Sequence, residues 1–253
     1  VKQILSFAAR AVLTLAGLGA VSLVHAAEWA GQLDWSQRVV LSAGVSGAVR
    51  QVLVQPGQLA KEGTLLLGMD ATAYRAALVE ARAEIERLTE EEADARRELD
   101  RVKELYARTV SSTTELDTAR LRQARARALL AAAQARSERA RYQLSETEVR
   151  APFDALVLER KAEPGLISAS QCQPPALLVV ARADEMLAVV DLNAAQAASL
   201  ALGMTATVSV AGEQTKATLR AVQTLAQGRY RAEWVVPRKS AWLAGMAVSV
   251  TTP

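Results

Sequence analysis

The sequence predicts an elongated α+β protein in which an antiparallel coiled-coil hairpin of α-helices interrupts a split β-sandwich, with a small β-barrel following. Three observations carry this expectation. No Gly or Pro occurs from Met69 to Ala151, although both recur on either side. These are the strongest helix breakers, so their absence over such a length favours continuous helix. Within that window the apolar residues recur at alternating spacings of four and three, the signature of a helix seam. Finally, the stretches flanking the window resemble each other, each an alternating apolar run that ends in Pro-Gly.

The chain opens on what reads as an export signal. Lys2 and Arg10 supply a positive region, Ala11 to Val24 form an apolar run of fourteen residues, and Val24-His25-Ala26 fits a cleavage site. That run is shorter than the roughly 20 residues a membrane span needs. A retained anchor is the alternative. Cleavage after Ala26 removes two positive charges and no acid, taking the formal net charge from +3 to +1. The basic pI of 9.2 is therefore no argument for nucleic acid.

Glu28 to Leu41 is expected to give a strand associated with the barrel, and Val45 to Leu59 the first sandwich half, continued by a strand at Thr64 to Leu67. The first helical seam then runs through Tyr74, Leu78, Ala81, Ile85, Leu88, Glu92, Ala95, Leu99, Val102 and Tyr106, of which Glu92 alone is charged. Thr109 to Thr114, β-branched or hydroxylic throughout, favours a turn over helix interior. Thr113 or Thr114 is placed to cap the next helix, with Asp117 near its positive end.

A second seam follows through Leu116, Ala119, Gln123, Ala126, Leu130, Ala133, Ser137, Ala140 and Leu144. Two heptad helices joined by a short polar turn make an antiparallel hairpin, and about 35 residues per helix give an arm roughly 50 Å long. Ala151 to Ile167 repeats the first half with two residues more, and a strand at Ala176 to Val180 continues it. Two such halves bury the apolar faces each leaves exposed.

Beyond Asp184, strands are expected at Met186–Leu192, Met204–Val210, Thr215–Val222, Tyr230–Val236 and Met246–Thr251, with a short helix at Asn193–Leu200. Short strands separated by turn residues suggest a barrel. The domain reading is thus 1–26 signal peptide, 27–42 barrel-associated strand segment, 43–70 and 148–182 the two sandwich halves, 71–147 the hairpin, and 183–253 the barrel.

Composition narrows function. Aromatic residues make up only 4% of the chain while hydrophobic residues make up 51%. Small side chains favour close helix seams over ligand pockets, so no enzyme active site is expected. Cys172 is the one cysteine, so no intrachain disulfide is possible, and His25 is the one histidine. After cleavage none remains for His-based catalysis or metal ligation. No catalytic residue, cofactor or metal site is therefore expected.

The arrangement resembles the periplasmic adaptor family, the membrane fusion proteins of RND-type tripartite efflux systems, related to HlyD-like secretion adaptors. The resemblance covers roughly Val39 to Val250. It rests on Gly47-Ala48-Val49 through Pro56-Gly57 with Gly63 and Asp70, on Thr147 to Asp154 through Pro164-Gly165, and on Leu243-Ala244-Gly245-Met246-Ala247-Val248. It implies that the flanking halves are lipoyl-like. It also implies that Arg101, Leu105 and Ser112 form the hairpin-tip contact with a TolC-like outer-membrane channel, because their spacing matches the family's Arg, Leu and Ser at that place.

The implied partners are an inner-membrane RND transporter, or alternatively an ABC-type exporter, and further copies of the chain in a ring, most simply a hexamer. The implied location is the periplasm. Two departures stand out: Ala155 replaces the glycine usual after Phe-Asp, and the residues after the barrel are too few for the family's membrane-proximal domain. Two readings of another class compete. A biotinyl or lipoyl carrier needs a lysine at the turn between halves, where Met69-Asp70-Ala71 stands. A coiled-coil spacer explains the hairpin but not the split halves.

Overall fold

The computed structural model describes residues 28–169 and 174–252. The signal segment with His25, and Cys172, lie outside the described residues. In chain order the strands and helices are β1 (Glu28–Trp35), β2 (Val39–Leu41), β3 (Gly47–Val52), β4 (Leu59–Ala60), β5 (Leu65–Met69), α1 (Thr72–Ala107), α2 (Thr113–Ser145), β6 (Glu148–Arg150), β7 (Ala155–Arg160), β8 (Ile167–Ser168) and β9 (Leu178–Arg182). There follow β10 (Glu185–Leu192), α3 (Ala194–Ala198), β11 (Thr205–Val210), β12 (Glu213–Thr224), β13 (Tyr230–Pro237) and β14 (Ala247–Thr251). The contacts divide the described chain into two units, Trp35–Met186 and the remainder.

The first unit holds two four-stranded sheets, ordered β2-β9-β7-β4 and β6-β5-β3-β8. Each sheet takes two strands from before the helices and two from after them, so neither flanking stretch makes a sheet alone. The hydrogen bonds repeat across the pair. Gly57 N–H donates to Val157 O (2.8 Å) and Val157 N–H to the Gln58 carbonyl (3.0 Å). In the same way Gly165 N–H donates to Val49 O (2.8 Å) and Val49 N–H to the Leu166 carbonyl (2.8 Å).

Ala48 pairs with Ile167, and Leu59 pairs with Leu156. The two copies thus match residue for residue from Gly47 to Ala60 and from Ala155 to Ser168. The extra length expected in the second copy therefore lies ahead of the matched part, in the β6–β7 connection. Gly57 and Gly165 take φ of +86° and +94°, the conformation a Pro-Gly turn requires at its second position. One core lies between the copies, with Leu66, Leu67, Leu177, Leu178, Val180 and Ala155 all fully buried.

Between β5 and β6 stand the helices, 36 and 33 residues long, or about 54 and 50 Å. The expected seams are the ones observed. In α1 the positions from Leu78 to Val102 are buried or half-buried, as are all nine seam residues of α2, while Tyr106 at the far end is exposed. Inside the seam Gln123 Nε2 donates to Glu92 Oε1 at 2.9 Å, giving the one charged seam residue a partner. At the root, Tyr74 Oη donates to the Ser46 carbonyl at 2.7 Å, fastening α1 to the sheet below.

The second unit is a closed barrel, β1-β10-β13-β12-β11-β14. Its strands alternate buried and exposed residues, and Trp234, Val208, Val210 and Val250 are wholly buried. β1 pairs with β14 from Glu28↔Thr251 to Gln32↔Ala247. Of the segment expected at the barrel, Val39–Leu41 instead pairs with β9: three residues of alternating burial complete that sheet's open edge.

Candidate functional site: the hairpin tip

The tip is built by the end of α1, the connection 108–112 and the first turn of α2. α1 stops at Ala107 because the backbone turns sharply there. Arg108 and Val110 N–H both donate to the Leu105 carbonyl (3.1 and 3.0 Å), Thr109 N–H donates to the Tyr106 carbonyl (2.9 Å), and Thr109 takes φ +62°. These bonds satisfy the carbonyls that a helix end leaves orphaned. They also hold Leu105 at the point where the chain reverses.

Ser112 starts α2. Its Oγ accepts from Glu115 N–H (3.2 Å) while Glu115 Oε2 accepts from Ser112 N–H (2.8 Å), a reciprocal capping box. Ser111 Oγ donates to the same carboxylate oxygen at 2.5 Å. These bonds hold the Glu115 carboxyl below the usual glutamate range, with the Ser111 hydroxyl the largest cause. Ser112, and not Thr113 or Thr114, is therefore the cap. The signal was in the sequence as Ser-Thr-Thr-Glu, the spacing of a capping box.

One turn below, Arg101 lies on the outer surface, where its Nε and Nη2 donate to the two carboxylate oxygens of Glu98 (3.0 and 2.8 Å). The hydrogen bond and charge of Arg101 lower the Glu98 pKa, and those of Glu98 raise that of Arg101. The pair keeps the guanidinium plane fixed while two thirds of the Arg101 side chain stays exposed. Leu105 is half-buried, and Val110 at the apex is 72% exposed. An open groove of about 440 Å³ runs between Arg101, Leu105, Val110, Ser111, Glu115 and Arg122.

The structure thus brings the three sequence-predicted residues onto one end of the hairpin, two of them at its groove and Ser112 at the adjoining helix cap. Sequence reasoning passed over Val110 and Ser111, which carry no pattern of their own. Chemically the tip offers an oriented cation, hydroxyl groups and an apolar point, which suits docking against another surface. Among the described residues no group of His, Cys, Asp and Glu is arranged to hold a metal ion, and no helix is long and apolar enough to cross a membrane.

A helical hairpin set between two interlocked sheets, together with a six-stranded barrel, is the fold of the membrane fusion proteins, the periplasmic adaptors. The chain aligns over 89% of its length with 77% of a MacA–MexA chimera carrying the Pseudomonas aeruginosa MexA α-hairpin domain, at TM-score 0.66 and 22% identity. It aligns over 88% of its length with 97% of a membrane fusion protein of Streptococcus pneumoniae R6, at TM-score 0.69 and 14% identity. MacA of Actinobacillus actinomycetemcomitans gives TM-score 0.56 at 20% identity, over 90% of this chain and 78% of that one.

Among curated proteins, the Escherichia coli K12 protein YdhJ, described as uncharacterized, is 30% identical over 122 residues, 48% of this chain and 42% of that protein. The multidrug resistance protein MdtA of Klebsiella pneumoniae is 27% identical over 127 residues, 50% of this chain and 31% of that protein. The chain thus spans well under half the length of either. No family model matches it.

Proposed function

We propose that the chain is a non-enzymatic periplasmic adaptor of a tripartite efflux pump, linking an inner-membrane RND transporter to a TolC-like outer-membrane channel through the hairpin tip. The observation that carries this reading is the tip itself. Arg101 is oriented by its two hydrogen bonds to Glu98, Leu105 stands at the chain reversal, and Ser112 caps the start of α2.

Arg101 would donate to partner carbonyls or carboxylates, Leu105 and Val110 would enter an apolar hollow, and Ser112 permits close backbone approach. The split sheets fit a lipoyl-like domain bounded as the sequence suggests, except that Val39–Leu41 joins it and not the barrel. Several copies side by side would form a sealed tube, most simply of six. A small preference of each tip for the open channel, multiplied over the copies, would then shift the gate.

The test is complementation of an adaptor-deleted strain, with pull-down of the purified channel. Arg101→Glu should abolish both while leaving the far-ultraviolet helical signal unchanged. Full efflux with Arg101→Glu, or wild-type protein that neither binds channel nor restores efflux, ends this reading.

A further inference from the structure

The two flanks of the hairpin differ in charge in a way that the adaptor reading does not use. With seam positions lettered a and d, the residues beside the seam are e on one flank and g on the other, and in an antiparallel pair e lies beside e. On the g flank acids and bases neutralise one another. Arg87 bridges Glu84 and Glu91 (2.9 and 3.0 Å), Asp94 pairs with Arg97 (3.5 Å) and Arg122 (3.6 Å), and Glu98 holds Arg101.

The e positions themselves carry no acid, the acids on this side standing one place further from the seam. Along α1 they read Arg75, Arg82, Thr89, Arg96 and Lys103, and along α2 they read Arg120, Arg127, Gln134 and Arg141, every one exposed. Lys103, Arg120 and Arg141 pair sideways with Asp100, Asp117 and Glu138. Arg82, Arg96 and Arg127 make no ion pair among the described residues. The register set by Glu92–Gln123 puts Arg127 beside Thr89, so α2 fills the gap in the α1 row.

A coiled coil selected only for stability would place opposite charges at these positions. Like charge along the seam instead opposes pairing, and the three ion pairs on this side leave Arg82, Arg96 and Arg127 without a counterion among the described residues.

We propose that this flank binds a linear phosphate-bearing polyanion laid along the hairpin axis. The row from Arg75 to Lys103 extends about 42 Å, which suits an extended chain better than a small anion. Its e positions carry no apolar side chain and, among the described residues, Val79 is the one large apolar residue exposed beside them, whereas a docked protein needs an apolar, charge-poor centre. Six of the seven cations at the e positions of the two helices are arginines, whose planar forks match phosphate oxygens.

The test is fluorescence anisotropy with labelled linear inorganic polyphosphate and the full chain at several salt concentrations. The wild type should bind with strong salt dependence. The triple variant Arg82→Gln, Arg96→Gln, Arg127→Gln should bind at least about tenfold more weakly with a shallower salt slope. A control carrying Arg125→Gln, Arg136→Gln and Arg139→Gln, of equal net charge but altered away from the e flank, should keep wild-type affinity. Circular dichroism establishes that both variants fold. No binding at low salt, or equal weakening of both triple variants, overturns the proposal. Equal or tighter binding of poly-glutamate, or of an acidic helical peptide of the same charge, also overturns the phosphate assignment.

Discussion

Single residues at the tip and in the barrel carry separable consequences. Ser112 caps α2 through a bond in each direction with Glu115, so Ser112→Ala should cost about 1 kcal/mol of unfolding free energy in guanidinium titrations. Because Glu115 is held below its ordinary pKa, its contribution is present above the ordinary glutamate range. It is lost as pH falls through the lowered value. Glu115→Gln, which keeps the cap geometry, should reduce the acid-side dependence of the hairpin's melting curve, the lowered Glu84 and Glu98 carboxyls keeping the remainder. In the barrel, a Cβ on Gly31 would lie 2.2 Å from the Val189 carbonyl oxygen. That contact is backbone and cannot swing away, so Gly31→Ala should destabilise by about 2 kcal/mol or more, read as a fall in denaturation midpoint.

At the scale of the helices, one polar layer interrupts an otherwise apolar and small-residue seam. Glu92 and Gln123 meet there at 2.9 Å. Such a layer fixes register at some expense of stability. Gln123→Leu leaves the Glu92 carboxylate facing a hydrocarbon and should cost about 1–3 kcal/mol. The double variant Glu92→Leu, Gln123→Leu should melt above the wild type, because neither side then loses water without a partner. A double variant that melts no higher than the single would show that the pair stabilises the hairpin outright. The sequence located this layer, since Glu92 is the one charged residue in its seam. It did not pair it with Gln123, because the axial stagger of two antiparallel helices depends on the geometry of the turn.

On the scale of the whole chain, the helices interrupt a body that does not need them. The core shared by the two sheets draws only Tyr74 from the hairpin. β5 and β6 already pair antiparallel, with Gly68 opposite Glu148, and Met69 N–H donates to the Thr147 carbonyl at 2.8 Å. Replacing residues 71–146 by an Asn-Gly turn should therefore leave a protein that unfolds cooperatively with a β-type circular dichroism spectrum. Loss of cooperative unfolding would mean that the hairpin root is needed to close the core.

The sequence by itself determined the helices, their seams, the duplicated halves and every barrel strand beyond Asp184, because each rests on local periodicity and on where Gly and Pro stand. Only the tertiary structure decided that each sheet mixes strands from both halves and that Val39–Leu41 closes one of them. It alone also showed on which flank of the hairpin Arg82, Arg96 and Arg127 stand without a counterion among the described residues. Pairing partners far apart in the chain, and the side of a helix on which a charge finds its counterion, are set by three-dimensional packing, which a linear repeat does not encode.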